Sequence, residues 1–598
     1  MEKKNLSEVI PEKSKKEEVQ EATSSKVVVL KSVTVTPIVG DEKHTLTGSG
    51  TLINIKRVGD ANNKRILVDF GIHQKNSELN QEMLFNPANI DALIATHAHM
   101  DHIGRLPILI NGEKIFKKIF STNITQALTV QMLLDSANVM EKTSQTVVDM
   151  STTKEGKLKA SIKELKELKQ LLNPSKKDKK DKYRKNNTRL QKIRARYDSD
   201  AEMKERLTKI QNKLKLEIKN IDLHRKFKDI KDSAREKVLY TKDDVEFLTK
   251  KHPKTKKNYF VSDFYKSQII VDVKLTFVKA AHVLGSAQVI LEIDDGEGTY
   301  NMFSGDLGRY DEYSNLGEPD YKIDELLKRE ESFSFDSYQI ESTYGKLDHP
   351  DREEELKRMK WSIKQIIEQN KILIPAFMLQ RSQDLLGTLL ELKKELKKEF
   401  EKKDKKFPNL PIYYDGVTID KVNDIYRTHD IEGGFYSNIF NSKNPVTKSE
   451  YENDGPFLRK NESAIMVVPS GMLAGKVLSY MEYICTNRNN AIFFVGYQAE
   501  TLHRIAIDRE REITIEEQSF EMMSQVHIFK SFSSHGDKMD LLTHLENLPF
   551  KKKASLFLNH GDINDSQKEL ETTIRDYGVI SDDISIKQPR VEETVKIF

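Results

Sequence analysis

Directly after the apolar run DALIA the chain reads THAHMDHIGRLP, so residues 97–102 hold three histidines and one aspartate in six positions. The whole chain of 598 residues has only 15 His. Such a cluster at the end of a strand constrains the fold strongly. It forms a metal site only if distant segments bring further ligands to the same point, and segments converge where strands end. The bland alternative, Asp101 capping a helix with incidental histidines beside it, needs no partners.

Four partners fit. Asp69 follows ILV, His282 follows FVKAA, Asp306 lies in MFSGDLG and His560 in LFLNHGD. Each comes after an apolar run and beside Gly, where the backbone turns tightly. Taken singly, each reads as a turn-capping Asp or a hydrogen-bonded strand-end His. With His97, His99, Asp101 and His102 they make a set of imidazoles and carboxylates suited to two zinc ions. The lone cysteine, Cys485, excludes both a disulfide framework and a cysteine-ligated cluster.

The chain around these residues changes character several times. Residues 1–26 read as a solvated, disordered tail. From 27 to 153, short apolar strands alternate with turns and lead into a helix-patterned stretch (ITQALTVQMLLDSANVMEKT). Residues 154–240 are Lys-rich with two apolar stripes, Leu158/Ile162/Leu165/Leu172 and Leu207/Ile210/Leu214/Ile218/Ile221. This predicts a basic helical hairpin inserted in a globular domain. Strands return over 241–348. Residues 349–524 alternate helices with runs such as KILIPAF, SAIMVVPSG and AIFFVGY, the rhythm of a parallel α/β unit. Residues 525–598 revert to strand, helix, strand.

The net charge of +4 hides an asymmetry: residues 151–240 hold 29 basic against 14 acidic side chains, so the remainder is net acidic. Contact of the insertion with RNA, contact with a protein partner and a plain solvated arm all remain open. No apolar run reaches the ~20 residues of a membrane span. A soluble, cytoplasmic protein without membrane association is expected, and a homodimer is left open.

The ligand set resembles the metallo-β-lactamase superfamily, whose H-x-H-x-D-H motif stands here as HAHMDH. In the remainder the chain is similar to the β-CASP branch, nucleic-acid-processing nucleases that include ribonuclease J and the mRNA 3′-end cleavage factor. The segments that carry this are ESTYG (341–345), SFSSHGD with His535, LNHGD with His560, PAFMLQRSQDLL, PSGMLAGKV and VGYQAETL. The resemblance covers about 27–150 and 265–598. The arginine of the branch's Gly-Arg turn is displaced here into LQRSQ (379–383).

The resemblance implies an α/β protein, a metallo-β-lactamase αββα sandwich with an inserted β-CASP α/β domain and the basic helical insertion. It implies that His97, His99 and His282 hold one zinc, that Asp101, His102 and His560 hold the other, and that Asp306 bridges them. Asp69 would orient the ligands, and Glu341 with His535 would form a catalytic pair beside the metals. Ser470, Gly471 and Arg381 would touch substrate. The implied activity is a zinc-dependent ribonuclease, endo- or 5′-exo-acting, that hydrolyses RNA phosphodiesters with an activated hydroxide. His560 favours RNA, since DNA-directed members commonly have Val there. A DNA nuclease, a small ester or thioester hydrolase on the same zinc core, and a non-catalytic RNA-binding subunit are the alternatives.

Overall fold

The computed structural model describes residues 30–39, 48–73, 77–109, 118–172, 199–217, 223–249, 259–293, 298–310, 314–327, 334–367, 370–429, 434–440, 446–449, 457, 462–469, 476–496, 511–515 and 518–597. The expected tail, 1–26, lies outside them.

Two seven-stranded sheets pack face to face. The first runs, in spatial order, Val595–Lys596, Leu30–Pro37, Thr51–Arg57, Lys64–Val68, Ala92–Ile94, Ile119–Thr122 and Tyr259–Ser262. The second runs Ser585–Lys587, Phe550–Asn559, Phe335–Glu341, Thr299–Phe303, Ala287–Ile293, Val273–Lys279 and Gln268–Ile270. Side chains alternate between the two faces of a strand. Ala92 and Ile94 therefore meet Val289, Leu291 and Phe277 between the sheets, while Leu93 faces outward onto helices. On the second sheet, Val289 and Leu291 point inward and Ile290 outward, where it packs among Leu541, Leu545, Leu570 and Ile574. The helices Lys538–Glu546 and Lys568–Tyr577 that supply those leucines and the isoleucine cover the outer face. This is the four-layer αββα sandwich.

A third sheet of six strands is parallel throughout: Val446–Lys448, Ile412–Tyr414, Ala464–Pro469, Lys371–Ala376, Ala491–Val495 and Gln525–Phe529. Parallel sheets are covered on both faces, which explains the unbroken apolar runs. Ile372 and Ile374 pack on one side with Leu385 and Leu389, and Leu373 on the other with Tyr480 and Met481. Helix Arg352–Ile366 leads into this sheet. Asp351 caps it by accepting a 2.8 Å bond from Glu354 N, and three glutamates in the first turn complement the helix dipole. The strand Gln525–Phe529 corrects the boundary read from sequence. It pairs with Ala491–Val495, so the α/β unit continues past 524 to Phe529.

The basic insertion also differs from the expected hairpin. Its first arm is the continuation of a core helix, Asn123–Leu172, whose 50 residues extend about 75 Å at 1.5 Å per residue. Ile124, Leu128, Leu133 and Ala137 anchor its first turns in the sandwich. The helices Asp200–Glu217, Leu223–Glu236 and Lys242–Thr249 pack along it. The boundary at 153/154 therefore falls inside one helix. Lys231 bonds Glu155 at 2.8 Å and Arg206 bonds Glu164 at 2.9 Å, tying the later helices to the first. Among the described residues, no helix is long and apolar enough to cross a membrane.

Candidate metal centre

The candidate ligands meet at one rim of the sandwich, where strands from both sheets end. His97 and His99 follow the strand Ala92–Ile94, and Asp101 and His102 lie in the short helix Met100–Ile103. Backbone bonds pin this stretch to the end of the neighbouring strand: Phe70 N donates to His102 O (2.7 Å) and Ser49 N to Asp101 O (2.6 Å). The approach leaves no room for a side chain at Gly71, whose Cβ would sit 1.5 Å from Asp101 O.

Several residues at the rim hold left-handed backbone: Asp69 (φ 60°), Ala281 (φ 55°), Gly305 (φ 55°) and His560 (φ 51°). For non-glycine residues this conformation costs free energy and persists only where surrounding structure enforces it. Here it turns Asp69, His282, Asp306 and His560 out of their strands into a shared pocket.

In that pocket His97 Nε2 lies 3.0 Å and His282 Nε2 3.1 Å from His99 Nδ1. Asp306 divides its two oxygens. Oδ2 stands 3.5 Å from His97 Nε2 and 3.6 Å from His282 Nε2. Oδ1 stands 3.2 Å from His102 Nε2 and 3.5 Å from His560 Nδ1. His560 Nε2 is 3.5 Å from Asp101. Two groups able to hold a metal ion result, His97/His99/His282/Asp306 and Asp101/His102/His560, and a third joins Asp306, Glu341 and His535.

The far side of four of the rings is fixed. His102 Nδ1 donates to Asp69 at 2.8 Å, and Asp69 is itself held by Thr96 N and Thr96 Oγ1. His282 Nδ1 donates to Ser534 O at 3.1 Å. Thr96 Oγ1 meets His97 Nδ1 at 3.1 Å, and Thr343 Oγ1 meets His560 Nδ1 at 3.0 Å. These partners set ring orientation and leave a nitrogen toward the pocket. Thr96, Thr343 and the Ser534 carbonyl were not singled out from sequence. Thr96 precedes His97 directly and Thr343 lies inside ESTYG, but a threonine or a backbone carbonyl is too common to signal by type.

The donor set fits a divalent metal ion. His102 Nε2, Asp306 Oδ1 and His560 Nε2 are buried without a hydrogen-bond partner, which is costly unless a cation supplies the missing interaction. Burial lowers the pKa of His97 and His282 well below the ordinary value and that of His99 to about 4, so these rings are in the neutral, ligating form. Burial alone would raise the Asp306 carboxyl, but His102, His560 and His97 around it hold it well below the usual range.

Glu341, at the end of its strand, receives Leu307 N at 2.7 Å and holds His535 Nδ1 at 2.9 and 3.0 Å. Burial disfavours a charged His535, yet Glu341 and Asp306 raise its pKa above the ordinary value. Its other nitrogen points to Asp306 at 3.8 Å.

The expected substrate contacts fare differently. Ser470 and Gly471 lie outside the described residues. Arg381 is buried, with Nε donating to Phe532 O (3.2 Å) and its guanidinium over the Phe377 ring. It lines a cavity beside His282 with Arg309, Arg352, Asp384 and Ser533. Arg381 opens its helix directly after Gln380, whose φ of 64° is a backbone conformation that favours glycine.

Fold and site define the class. Residues 52–115 match the metallo-beta-lactamase superfamily and residues 383–504 the Beta-Casp domain. The chain carries a metallo-β-lactamase core with a Beta-Casp domain. Three curated relatives illustrate the likeness. Cleavage and polyadenylation specificity factor subunit 3 of Dictyostelium discoideum is 27% identical over 52% of this chain and 38% of its own length. Transcription termination factor FttA of Methanocaldococcus jannaschii is 30% identical over 48% and 45%. Cleavage and polyadenylation specificity factor subunit 3-I of Arabidopsis thaliana is 23% identical over 90% and 61%. In each case the match spans less than two thirds of the relative.

Proposed function

We propose that the protein is a zinc-dependent ribonuclease that hydrolyses RNA phosphodiesters at a two-metal centre. The observation that carries this is Asp306, whose two oxygens face two separate ligand groups. Zinc bound by those groups would supply Lewis acidity that offsets charge on the phosphodiester and on the attacking oxygen.

The chain's own residues do the rest. His535, held by Glu341, keeps a proton available at Nε2 on the pocket side, where it serves as general acid toward the leaving oxygen. Asp69 and the Ser534 carbonyl hold His102 and His282 so that the ligands need not reorganise. Arg309, Arg352 and Arg381 line the cavity beside His282 and offer positive charge to the backbone of a strand in the cleft. RNA is favoured over DNA by His560 in the last motif and by relatives named for cleavage and polyadenylation and for transcription termination.

The test is cleavage of end-labelled single-stranded RNA and of DNA of the same sequence, with and without chelator, by the parent and by His535→Ala. Chelator-sensitive cleavage of RNA, much reduced in the variant, is the expected result. Cleavage of DNA alone would overturn the substrate assignment. Equal turnover by His535→Ala would overturn the role of His535.

A further inference from the structure

Among the described residues from 273 to 403, Gln380 and Ala281 (beside His282) are the two non-glycine residues with positive φ. Gln380 is 2% exposed, and its carboxamide is fully used. Oε1 accepts from Leu284 N (3.2 Å) and from Tyr426 Oη (2.8 Å). Nε2 donates to Asp384 Oδ2 (2.9 Å) and to Tyr436 Oη (2.7 Å). Leu284 N can only donate and the Asp384 carboxylate accepts, so the amide orientation follows from its partners.

One of these bonds, from Leu284 N, crosses between the two parts of the molecule, and the other three fix the carboxamide within the helices around the parallel sheet. Leu284 belongs to the tight turn that carries His282, closed by His282 N and Val283 N donating to Ser286 Oγ. Tyr426, Asp384 and Tyr436 belong to helices Val417–His429, Arg381–Glu401 and Phe435–Ile439 around the parallel sheet. A glycine would relieve the backbone, and a methionine would fill the same space. Only an amide of this length makes all four bonds.

We propose that Gln380 is a positioning residue whose carboxamide locks the His282 turn to the helices of the Beta-Casp domain. Seating of that domain and retention of metal by His282 are then linked. The inference rests on the reading of His282 as a metal ligand given above.

Three full-length variants test it. Gln380→Met keeps the volume and removes every bond. Gln380→Gly removes the bonds and relieves the backbone, which guards against a variant that fails to fold. Tyr436→Phe cuts the same network but leaves the Leu284 bond intact. Each is measured for Tm, for hydrogen exchange at the Leu284 amide, and for the rate of zinc transfer to a chelator. Residues that hold ligands in place typically change metal affinity 10–100-fold. The expected result is zinc transfer about 10-fold faster, with faster Leu284 exchange, in both Gln380 variants and near-parental values in Tyr436→Phe. Gln380 variants that match Tyr436→Phe in exchange and zinc transfer, differing from the parent only in Tm, would overturn it. If the parent itself holds no zinc, the metal-centre reading fails, and Leu284 exchange alone decides whether Gln380 holds the turn.

Discussion

Asp69 accepts a 2.8 Å hydrogen bond from Nδ1 of His102, and this bond decides which nitrogen of His102 faces Asp306. A carboxylate can only accept, so Nδ1 carries a proton, and in the neutral ring it is Nε2 that presents its lone pair to the pocket. The same carboxylate takes Thr96 N and Oγ1, so its own orientation is not free.

Asp69→Asn is therefore expected to fold and yet to bind metal poorly. The amide NH2, if its oxygen keeps the Thr96 N bond, faces Nδ1 as a donor and drives the proton to Nε2. Chelator competition should show affinity lower by roughly 10–100-fold, the usual effect of losing such a partner. Parental affinity in a folded variant would mean that Asp69 does not set the tautomer.

His535→Ala should keep its metal and lose most turnover. His535 is bonded to Glu341 and stands 3.8 Å from Asp306, and loss of a general acid typically costs ~10²–10⁴-fold. Zinc content measured beside single-turnover rates separates the outcomes. A variant stripped of zinc would place His535 among the ligands.

His544 gives the fold an acid-sensitive element away from the metal centre. Burial lowers its pKa to about 3. Tyr310 Oη meets Nδ1 at 2.6 Å, and Tyr338 Oη meets Nε2 at 2.8 Å while donating onward to Gln288. In the unfolded chain this imidazole takes up a proton near pH 6.5, so the unfolded state binds more protons between about pH 3 and 6.5. Its contribution to stability is complete above that window and is lost as pH falls through it. His544→Phe should be less stable at pH 7, by roughly 1–3 kcal/mol for the two hydrogen bonds that the tyrosine hydroxyls lose. Its stability should then fall less steeply from pH 6 to 4 in urea titrations. An unchanged acid slope would show that His544 is not the group titrating.

Excising residues 157–236 and joining the ends with a short linker should leave the sandwich and the parallel sheet folded, because the Glu155–Lys231 bond brings the two ends near each other. The excised span holds 27 basic against 13 acidic side chains. If the arm touches RNA, the dependence of log affinity on log salt becomes shallower in filter-binding measurements, as fewer counterions are released. An identical slope would exclude RNA contact by the arm and leave a protein partner or a solvated role.

Much of this was legible in the sequence because the chemistry is concentrated in residue types that carry it. His97, His99, Asp101, His102, His282, Asp306 and His560 all follow apolar runs, and the structure brings every one of them into one pocket. The covered strands were legible for the same reason, since KILIPA and AIFFV have no polar face. Strand order was not. Val595–Lys596 pairs with Leu30–Pro37 across most of the chain, and no local pattern encodes that pairing. The pairing of the edge strand Gln525–Phe529 with the parallel sheet has no local signal, because the strand is only half-buried and reads like the strand, helix, strand tail that follows. Gln380 was hidden because a left-handed glutamine has no signature by type. Its role appears only once Leu284 is beside it.

The most direct test of the account is elemental analysis of the purified, folded protein and of Asp306→Asn, each before and after dialysis against a strong chelator. About two zinc ions per chain in the parent, their loss on chelation together with RNA cleavage, and depletion of both sites in Asp306→Asn are predicted, since one carboxylate faces both groups. A folded parent that cleaves RNA without metal, or an Asp306→Asn protein that retains both ions, would contradict it.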